Sequence, residues 1–300
     1  MKLKFRYNLR NYAAQGCVQR KGFLMKKITK KIAAAAACAA LAVGCMAVAG
    51  CSGSGSNTND ASNSNTSAEA TYTLVEQGKL TIATSPDYPP FENLVDGNAE
   101  GLDIDIASAV AEKLGLELEI KQIQFDGIIT AIASGGQADM GISGFSVDPE
   151  RAKEIDFTSS YYFDDQAIAA MKDGAITEAN VDTALNDASM VIAVQSGTTG
   201  ETYAQENFPK ATVKSYGNSN DCFAALQADQ ANAVITNKAV VESMLGSYTD
   251  AQVVKAIATG EEYAMVVNKD NAGLTAAIND AIAALQADGT IDTLVKKWMS

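Results

Sequence analysis

Histidine is absent from all 300 residues, which narrows the chemistry open to the remaining polar side chains. Ser–His triads, imidazole bases and most zinc sites are excluded at once. What is left is recognition chemistry on a few residues. Arg151 closes Asp148-Pro149-Glu150-Arg151, and its planar fork suits a carboxylate held by two parallel bonds; the alternative is a surface Arg paired with Glu150 or Asp148. Thr199 opens the helical stretch after Val194, where a backbone N–H favours an anion, though a plain cap has the same geometry. Gly144 and Ser146 offer a carbonyl and a hydroxyl at the end of a strand; otherwise they are turn residues. Tyr88 and Phe125 are aromatics in loops punctuated by Pro or Gly, a setting that favours a site over the core.

The five cysteines constrain compartment and fold. Met25-Lys26-Lys27-Ile28-Thr29-Lys30-Lys31 is a charged start, Ile32 to Val48 is an Ala-rich run without charge, and Val48-Ala49-Gly50-Cys51 closes it with small residues. That is the layout of a secretory signal peptide, and a Cys at the cut resembles the bacterial lipoprotein box. Cys51 is therefore the expected lipid attachment point, and residues 1–50 a leader whose true start is Met25. The alternative, a transmembrane helix, is disfavoured because about 17 weakly apolar residues fall short of the ~20 that a bilayer needs. Cys45 is a poorer second candidate, since Ala42 stands where a larger aliphatic residue is preferred. Removing the leader leaves Cys222 beside Phe223 as a small buried hydrophobe. No intramolecular disulfide is then available, and the fold must rest on its core.

All 36 Asp and Glu lie beyond position 50, whereas ten of the 23 Lys and Arg precede it. The exported part is thus more acidic than the whole chain, whose net charge is −13. Such a surface excludes nucleic acid as a partner, because phosphates need basic contacts, and suits a self-repelling monomer. From Ser52 to Ala70 the chain is nearly all small and polar, a flexible spacer able to reach roughly 60 Å if stretched. We count 51–77 as lipidated Cys plus linker.

The elements that must position these residues alternate. Lys79 to Ala83 alternates as a strand, Ile106, Val110 and Leu114 repeat at helical spacing, and Leu116, Leu118 and Ile120 alternate again. Ile128 to Ala133 reads as a short helix and Met140-Gly141-Ile142 as a buried strand. Val191–Val194, Ala233–Thr236 and Tyr263–Val267 read as further strands, Leu274 to Ala287 as a helix, and Thr290 as the cap of a last helix ending at Trp298. This α/β alternation predicts mostly parallel sheets with a ligand at the carboxyl ends of the strands.

The motifs Ser85-Pro86-Asp87-Tyr88-Pro89-Pro90-Phe91-Glu92, Gly101-Leu102-Asp103-Ile104-Asp105, Phe125-Asp126-Gly127-Ile128-Ile129, Gly144-Phe145-Ser146 and Asp148-Pro149-Glu150-Arg151 follow one another in order. With Gln195-Ser196-Gly197-Thr198-Thr199 and Asp288-Gly289-Thr290 they resemble family 3 of the extracellular solute-binding proteins, the polar amino-acid-binding lipoproteins of ABC importers. The resemblance covers about residues 78–299. It implies an α/β two-lobed periplasmic-binding-protein type II fold, a Venus flytrap with two hinge strands near Gln166–Ala170 and Tyr263–Val267. Lobe one would be 78–166 plus 266–300, and lobe two 167–265. It further implies an exported protein, tethered by lipid to the outer face of the cytoplasmic membrane, that passes a small polar amino acid to a permease with its ATPase. No cofactor, metal or catalytic residue is implied.

An amino acid brings a carboxylate, an ammonium and a side chain, and a desolvated cleft must satisfy all three. The resemblance assigns the carboxylate to Arg151 and Thr199, the ammonium to Gly144 and Ser146, and the side chain to Tyr88 and Phe125. Asn237 stands where many relatives have an acid for the ammonium, so an amide oxygen would replace the charge. Ser85, where glutamine binders carry Asp, Asp165 and Gln195 are outer candidates. Asp164-Asp165 replaces small residues, either supplying the missing charge or standing as a solvated pair. Two other readings share the fold: a cyclohexadienyl-dehydratase-like enzyme working through Asp164, Asp165 or Asp87, and a ligand sensor.

Overall fold

The computed structural model describes residues 71–300. The expected leader, the start at Met25, Cys45, Cys51 and the spacer to Ala70 lie outside the described residues. The chain first lays down β1 (Lys79–Thr84), β2 (Asp87–Tyr88), β3 (Glu92–Val95), β4 (Asn98–Glu100), α1 (Leu102–Leu114), β5 (Glu117–Gln122), α2 (Phe125–Ser134), β6 (Met140–Gly141) and β7 (Ile155–Phe157). It continues through β8 (Tyr162–Met171), α3 (Val181–Ala184), β9 (Val191–Gln195), α4 (Thr199–Asn207), β10 (Thr212–Tyr216), α5 (Ser219–Gln227), β11 (Ala233–Asn237), α6 (Lys238–Met244) and β12 (Ala251–Tyr263). It ends with β13 (Val266–Asn268), α7 (Ala272–Ala287) and α8 (Thr290–Trp298).

Two five-stranded sheets result, ordered β5-β1-β6-β13-β7 and β10-β9-β11-β8-β12. In the first, β1 runs parallel to β5 from Lys79↔Glu117 to Thr84↔Gln122 and parallel to β6 at Ile82↔Met140, but β13 is antiparallel to β6 and β7. In the second, β9 is parallel to β10 and β11, while β8 is antiparallel to β11 and β12. The sheets are therefore mixed and not mostly parallel as expected. The strands are short apolar runs because helices cover them: Leu80, Ile82, Ile192 and Ile235 are fully buried. Helix α1 buries Ile106 and Val110 at one-turn spacing and stops at Gly115, whose φ of 69° an ordinary residue resists. The chain crosses between the sheets at 158–161 and again at 264–265.

Three local expectations change. Residues 71–77, counted with the linker, are fastened down: Val75 donates its N–H to Asp139 at 2.7 Å, Asn271 donates to the Thr73 carbonyl at 2.8 Å, and Tyr72 and Leu74 pack on the core. Their apolar side chains give them surface to bury, which the residues up to Ala70 lack. The second helix begins at Phe125 rather than Ile128, which puts Phe125 in its first turn. The last helix is capped by Gly289, with φ 79°, and not by Thr290. Asp288 instead takes the Thr290 hydroxyl and N–H at 2.6 and 3.0 Å.

One glycine ties the site loop to this frame. Gly101 precedes α1 with φ 144°, and a Cβ there would lie 2.0 Å from the Phe91 carbonyl oxygen. That oxygen accepts the Asp103 N–H at 2.9 Å, fastening the loop that carries Tyr88. Gly101→Ala is therefore expected to cost about 3 kcal/mol or more. Urea denaturation measures this, and an unchanged midpoint would refute the backbone conflict.

Candidate functional site

The carboxyl ends of four strands converge on one cavity where the two sheets face each other. The turn after β1 brings Asp87 and Tyr88, the loop after β6 brings Ser143, Gly144 and Ser146, the turn after β9 brings Thr198 and Thr199, and β11 ends in Asn237. Phe125, Arg151 and Gln195 complete the lining. Thus Tyr88, Phe125, Gly144, Ser146, Arg151, Thr199, Asn237 and Gln195 come together. Ser85 and Asp165 are not part of the lining.

Arg151 opens a short 3-10 turn, Arg151–Lys153, and its N–H is held by the Asp148 carboxylate at 3.0 Å. Asp148 thus anchors the backbone of the turn, and no ion pair ties the guanidinium to it or to Glu150 among the described residues. One guanidinium nitrogen donates to the Ser146 carbonyl at 3.0 Å and the other to the Gly197 carbonyl, across the cleft, at 2.8 Å. The group lies 5.4 Å from the Phe125 ring centre and 5.5 Å from that of Phe145. These two rings stack at 4.6 Å and 22°. A cation over aromatic faces is attracted to them, and their bulk excludes water from one side of it. Burial pulls the Arg151 pKa down, with Asp148 and Glu261 pulling the other way; an Arg nonetheless stays charged.

Thr199 follows the N-cap Thr198, whose hydroxyl accepts the Glu201 N–H. The cap and the cleft-facing hydroxyl are therefore divided between two threonines, and Thr199 Oγ1 donates to Glu261 at 2.9 Å. Gly144, with φ 54°, gives its N–H to Asp103 at 2.7 Å, and a Cβ at this position would come within 3.2 Å of the Tyr88 ring. Tyr88 donates its hydroxyl to Asn237 Oδ1 at 2.7 Å and lies 2.9 Å from Thr236 Oγ1. Its ring stacks on Phe91, not on Phe125.

Two residues that sequence reasoning did not place in the binding site are central to it. Asp87 accepts from Ser85 Oγ at 2.8 Å, Gln195 Nε2 at 3.0 Å and the Ser219 N–H, at the start of α5, at 2.9 Å. Burial raises its pKa, and the hydrogen bonds from Ser85 and Ser219 oppose that rise. Glu261, near the end of β12, accepts from Thr199, Gln166, Asn237 and Ser146. Its signal was a charged residue two positions before the expected hinge strand. Neither member of the Asp164-Asp165 pair is in the lining, and only Asp165 is partly exposed. Asp164 is buried and takes the Ala239 N–H near the start of α6, while Asp165 takes the Gly260 N–H at 2.9 Å. Burial lifts the Asp164 pKa to about 7, with Glu261 and Asp165 adding to it.

The profile of the bacterial extracellular solute-binding proteins, family 3, matches residues 80–300. The chain belongs to this family. It is 30% identical over 227 residues to the arginine-binding extracellular protein ArtP of Bacillus subtilis, covering 74% of this chain and 86% of that one. An ancestral arginine-binding protein, solved bound to arginine, superposes with a TM-score of 0.69 at 32% identity over 75% of this chain and 99% of its own. The ancestral amino acid-binding protein AncCDT-1, described as a precursor of cyclohexadienyl dehydratase, gives 0.68 at 32% over 74% and 96%. The two sheets are therefore the cores of the two lobes of a periplasmic amino-acid-binding fold.

Behind the cleft lies a buried acid pair that holds the Gly144 loop in this solute-binding fold. Glu92 and Asp103 are both fully buried; Glu92 accepts from Ser143 Oγ at 2.7 Å, and Asp103 accepts from the Tyr161 hydroxyl at 2.8 Å. Burial and the neighbouring Asp103 push Glu92 well above its ordinary 4.5, and burial lifts Asp103 to about 6. Glu92 thus keeps a proton in the folded state that the unfolded chain releases. Its stabilisation is complete below pH 4.5 and is lost as pH rises through the higher folded-state value. Glu92→Gln is expected to flatten the decline in stability measured between mildly acidic and alkaline pH. An equally steep decline in the variant would contradict a protonated Glu92.

Proposed function

We propose that this chain is the exported receptor of an ABC importer, which captures a polar amino acid between its lobes and delivers it to a membrane permease. The observation that carries the reading is Arg151, a half-buried guanidinium that touches Ser146 on one lobe and Gly197 on the other. A ligand carboxylate at this fork would be gripped from both sides, which favours a closed hinge. The Thr199 backbone N–H, at the start of α4, would add a neutral donor to the carboxylate, and Tyr88 and Phe125 border the space left for a side chain. The amino-acid-binding relatives support the ligand class. We take lobe one as the part built on the first sheet, lobe two as the part built on the second, and the crossings near 158–161 and 264–265 as the hinge.

The tether is part of the same reading. Cys51 follows a charged start and an apolar run, and about 20 small polar residues separate it from the folded part. We infer a lipid anchor at this thiol, with the lobes held clear of the outer face of the membrane. Among the described residues, no helix is long and apolar enough to cross a membrane.

We read the cleft as a binding site and not a catalytic one. The carboxylate that a dehydratase reaction would use from the lining, Asp87, has both oxygens committed to Ser85, Gln195 and Ser219. The acid with a pKa of about 7, Asp164, faces the start of α6. The hydrogen bonds to Asp87 oppose its taking a proton, and Asp164 lies outside the lining.

A thermal-shift screen of the twenty amino acids and cystine tests the receptor reading. At a hundredfold excess over Kd, one of them is expected to raise Tm by about 5–10 °C. Arg151→Ala is expected to remove that rise, and a silent screen of the native protein would defeat the assignment. Cys51→Ser, expressed in a bacterial host, is expected to move the protein from the membrane fraction to the soluble exported fraction. An unchanged distribution on fractionation would exclude the lipid anchor.

A further inference from the structure

Glu261 places a carboxylate where both lobes meet. Oε2 accepts from Thr199 Oγ1 at 2.9 Å, from Asn237 Nδ2 at 3.1 Å and from the Ser146 hydroxyl, while Oε1 accepts from Gln166 Nε2 at 2.9 Å. All four partners are neutral donors. They fix the carboxylate in position without cancelling its charge, and Oε1 keeps a lone pair beyond its single bond. Three of them, Ser146, Thr199 and Asn237, line the cavity.

The orientation of Asn237 decides what that charge is for. Its Oδ1 is occupied by the Tyr88 hydroxyl at 2.7 Å, so its Nδ2 faces Glu261. The amide therefore presents a donor to an anion and has no oxygen directed at a cation. The carboxylate that does line the cavity, Asp87, accepts from the Ser219 N–H at the start of α5, where the helix N-terminus already offsets its charge. An ammonium entering a desolvated cleft requires a negative partner, and Glu261 is the carboxylate whose partners Ser146, Thr199 and Asn237 themselves line the cleft. Arg151 and Glu261 also touch the same residue from two sides: the guanidinium bonds the Ser146 carbonyl and the carboxylate its hydroxyl. A positive and a negative group flanking one residue match the two charges of an α-amino acid.

We propose that Glu261 is the counter-ion for the ligand's α-ammonium, taking on the charge that the neutral Asn237 lacks. This rests on the amino-acid-receptor reading above. It makes Asn237 and Glu261 a matched pair: an acid at position 237 would put two carboxylates within hydrogen-bonding distance of each other. The specificity it confers is for an ammonium next to a carboxylate, whatever the side chain.

Calorimetric titration of the native protein, E261Q and N237D/E261Q with L-arginine, L-glutamine and L-cystine tests it. Whichever binds the native protein is expected to bind E261Q at least about 30-fold more weakly. N237D/E261Q, which restores one carboxylate across the hydrogen bond, is expected to recover at least about tenfold of that loss, and it carries the test should E261Q fail to fold. The same compound lacking its α-amino group is expected to bind the native protein and E261Q within about threefold of each other. Binding by E261Q within about threefold of native would overturn the assignment. Tighter binding by E261Q would also overturn it, by showing that the carboxylate competes with the ligand for Ser146 and Thr199. If neither these three compounds nor any other of the twenty amino acids binds the native protein, the receptor reading itself fails, an outcome distinct from native binding with an insensitive variant.

Discussion

A charged guanidinium held between two lobes must replace its lost water with fixed partners, and the cleft is organised around that requirement. Arg151 meets it with two carbonyls, one from each lobe, and with the stacked faces of Phe125 and Phe145. Carbonyls and ring faces stabilise the cation without neutralising it. The positive charge thus stays available to an anion, whereas a direct carboxylate partner would have consumed it. The Asp148 carboxylate, the nearest in sequence, is turned to the backbone N–H groups of Glu150 and Arg151.

The same economy recurs with the opposite sign. Glu261 is held by hydroxyls and amides, Asp87 by hydroxyl, amide and a helix N-terminus, and Asp103 by the Tyr161 hydroxyl and the Gly144 N–H. Each buried acid has a different solution. Glu92 lies behind the cleft, where burial and the neighbouring Asp103 favour its protonated form. Glu261 lies beside the lining, where neutral donors leave its charge available.

Much of this was legible in the chain. The strands around Ile82, Ile192 and Ile235 show because fully buried strands are short apolar runs, and α1 shows because its apolar residues recur each turn. Ser146, Gly144 and Thr199 cohere because each follows a strand, where an α/β sheet presents its loops, and Arg151 closes the long connection from β6 to β7. Glu261 was not legible as a site residue, since a lone acid in the Glu261-Glu262 pair looks like the solvated face of an edge strand. Only the pairing of β12 with β8, Glu261↔Asp164, brings it beside Gln166 and the cleft. Asp164 misled for the converse reason: its neighbour Asp165 suggests a surface, yet alternation along β8 turns Asp164 inward to hold α6.

Closure of the lobes follows from these placements. Tyr88 to Asn237, Asp87 to Ser219 and Gln195, and Arg151 to Gly197 are hydrogen bonds from the first lobe to the second made by the protein's own groups. The closed arrangement therefore has intrinsic support, and a ligand adds to it only through contacts made from both sides. On the proposed reading, an amino acid whose carboxylate met Arg151 on one lobe and Thr199 on the other would satisfy that condition. A molecule without a carboxylate would leave Arg151 with its two carbonyls and gain nothing from closure. On that reading, selectivity for zwitterions would arise in the closing step as much as in the first encounter, set by the charge that the cleft keeps unneutralised.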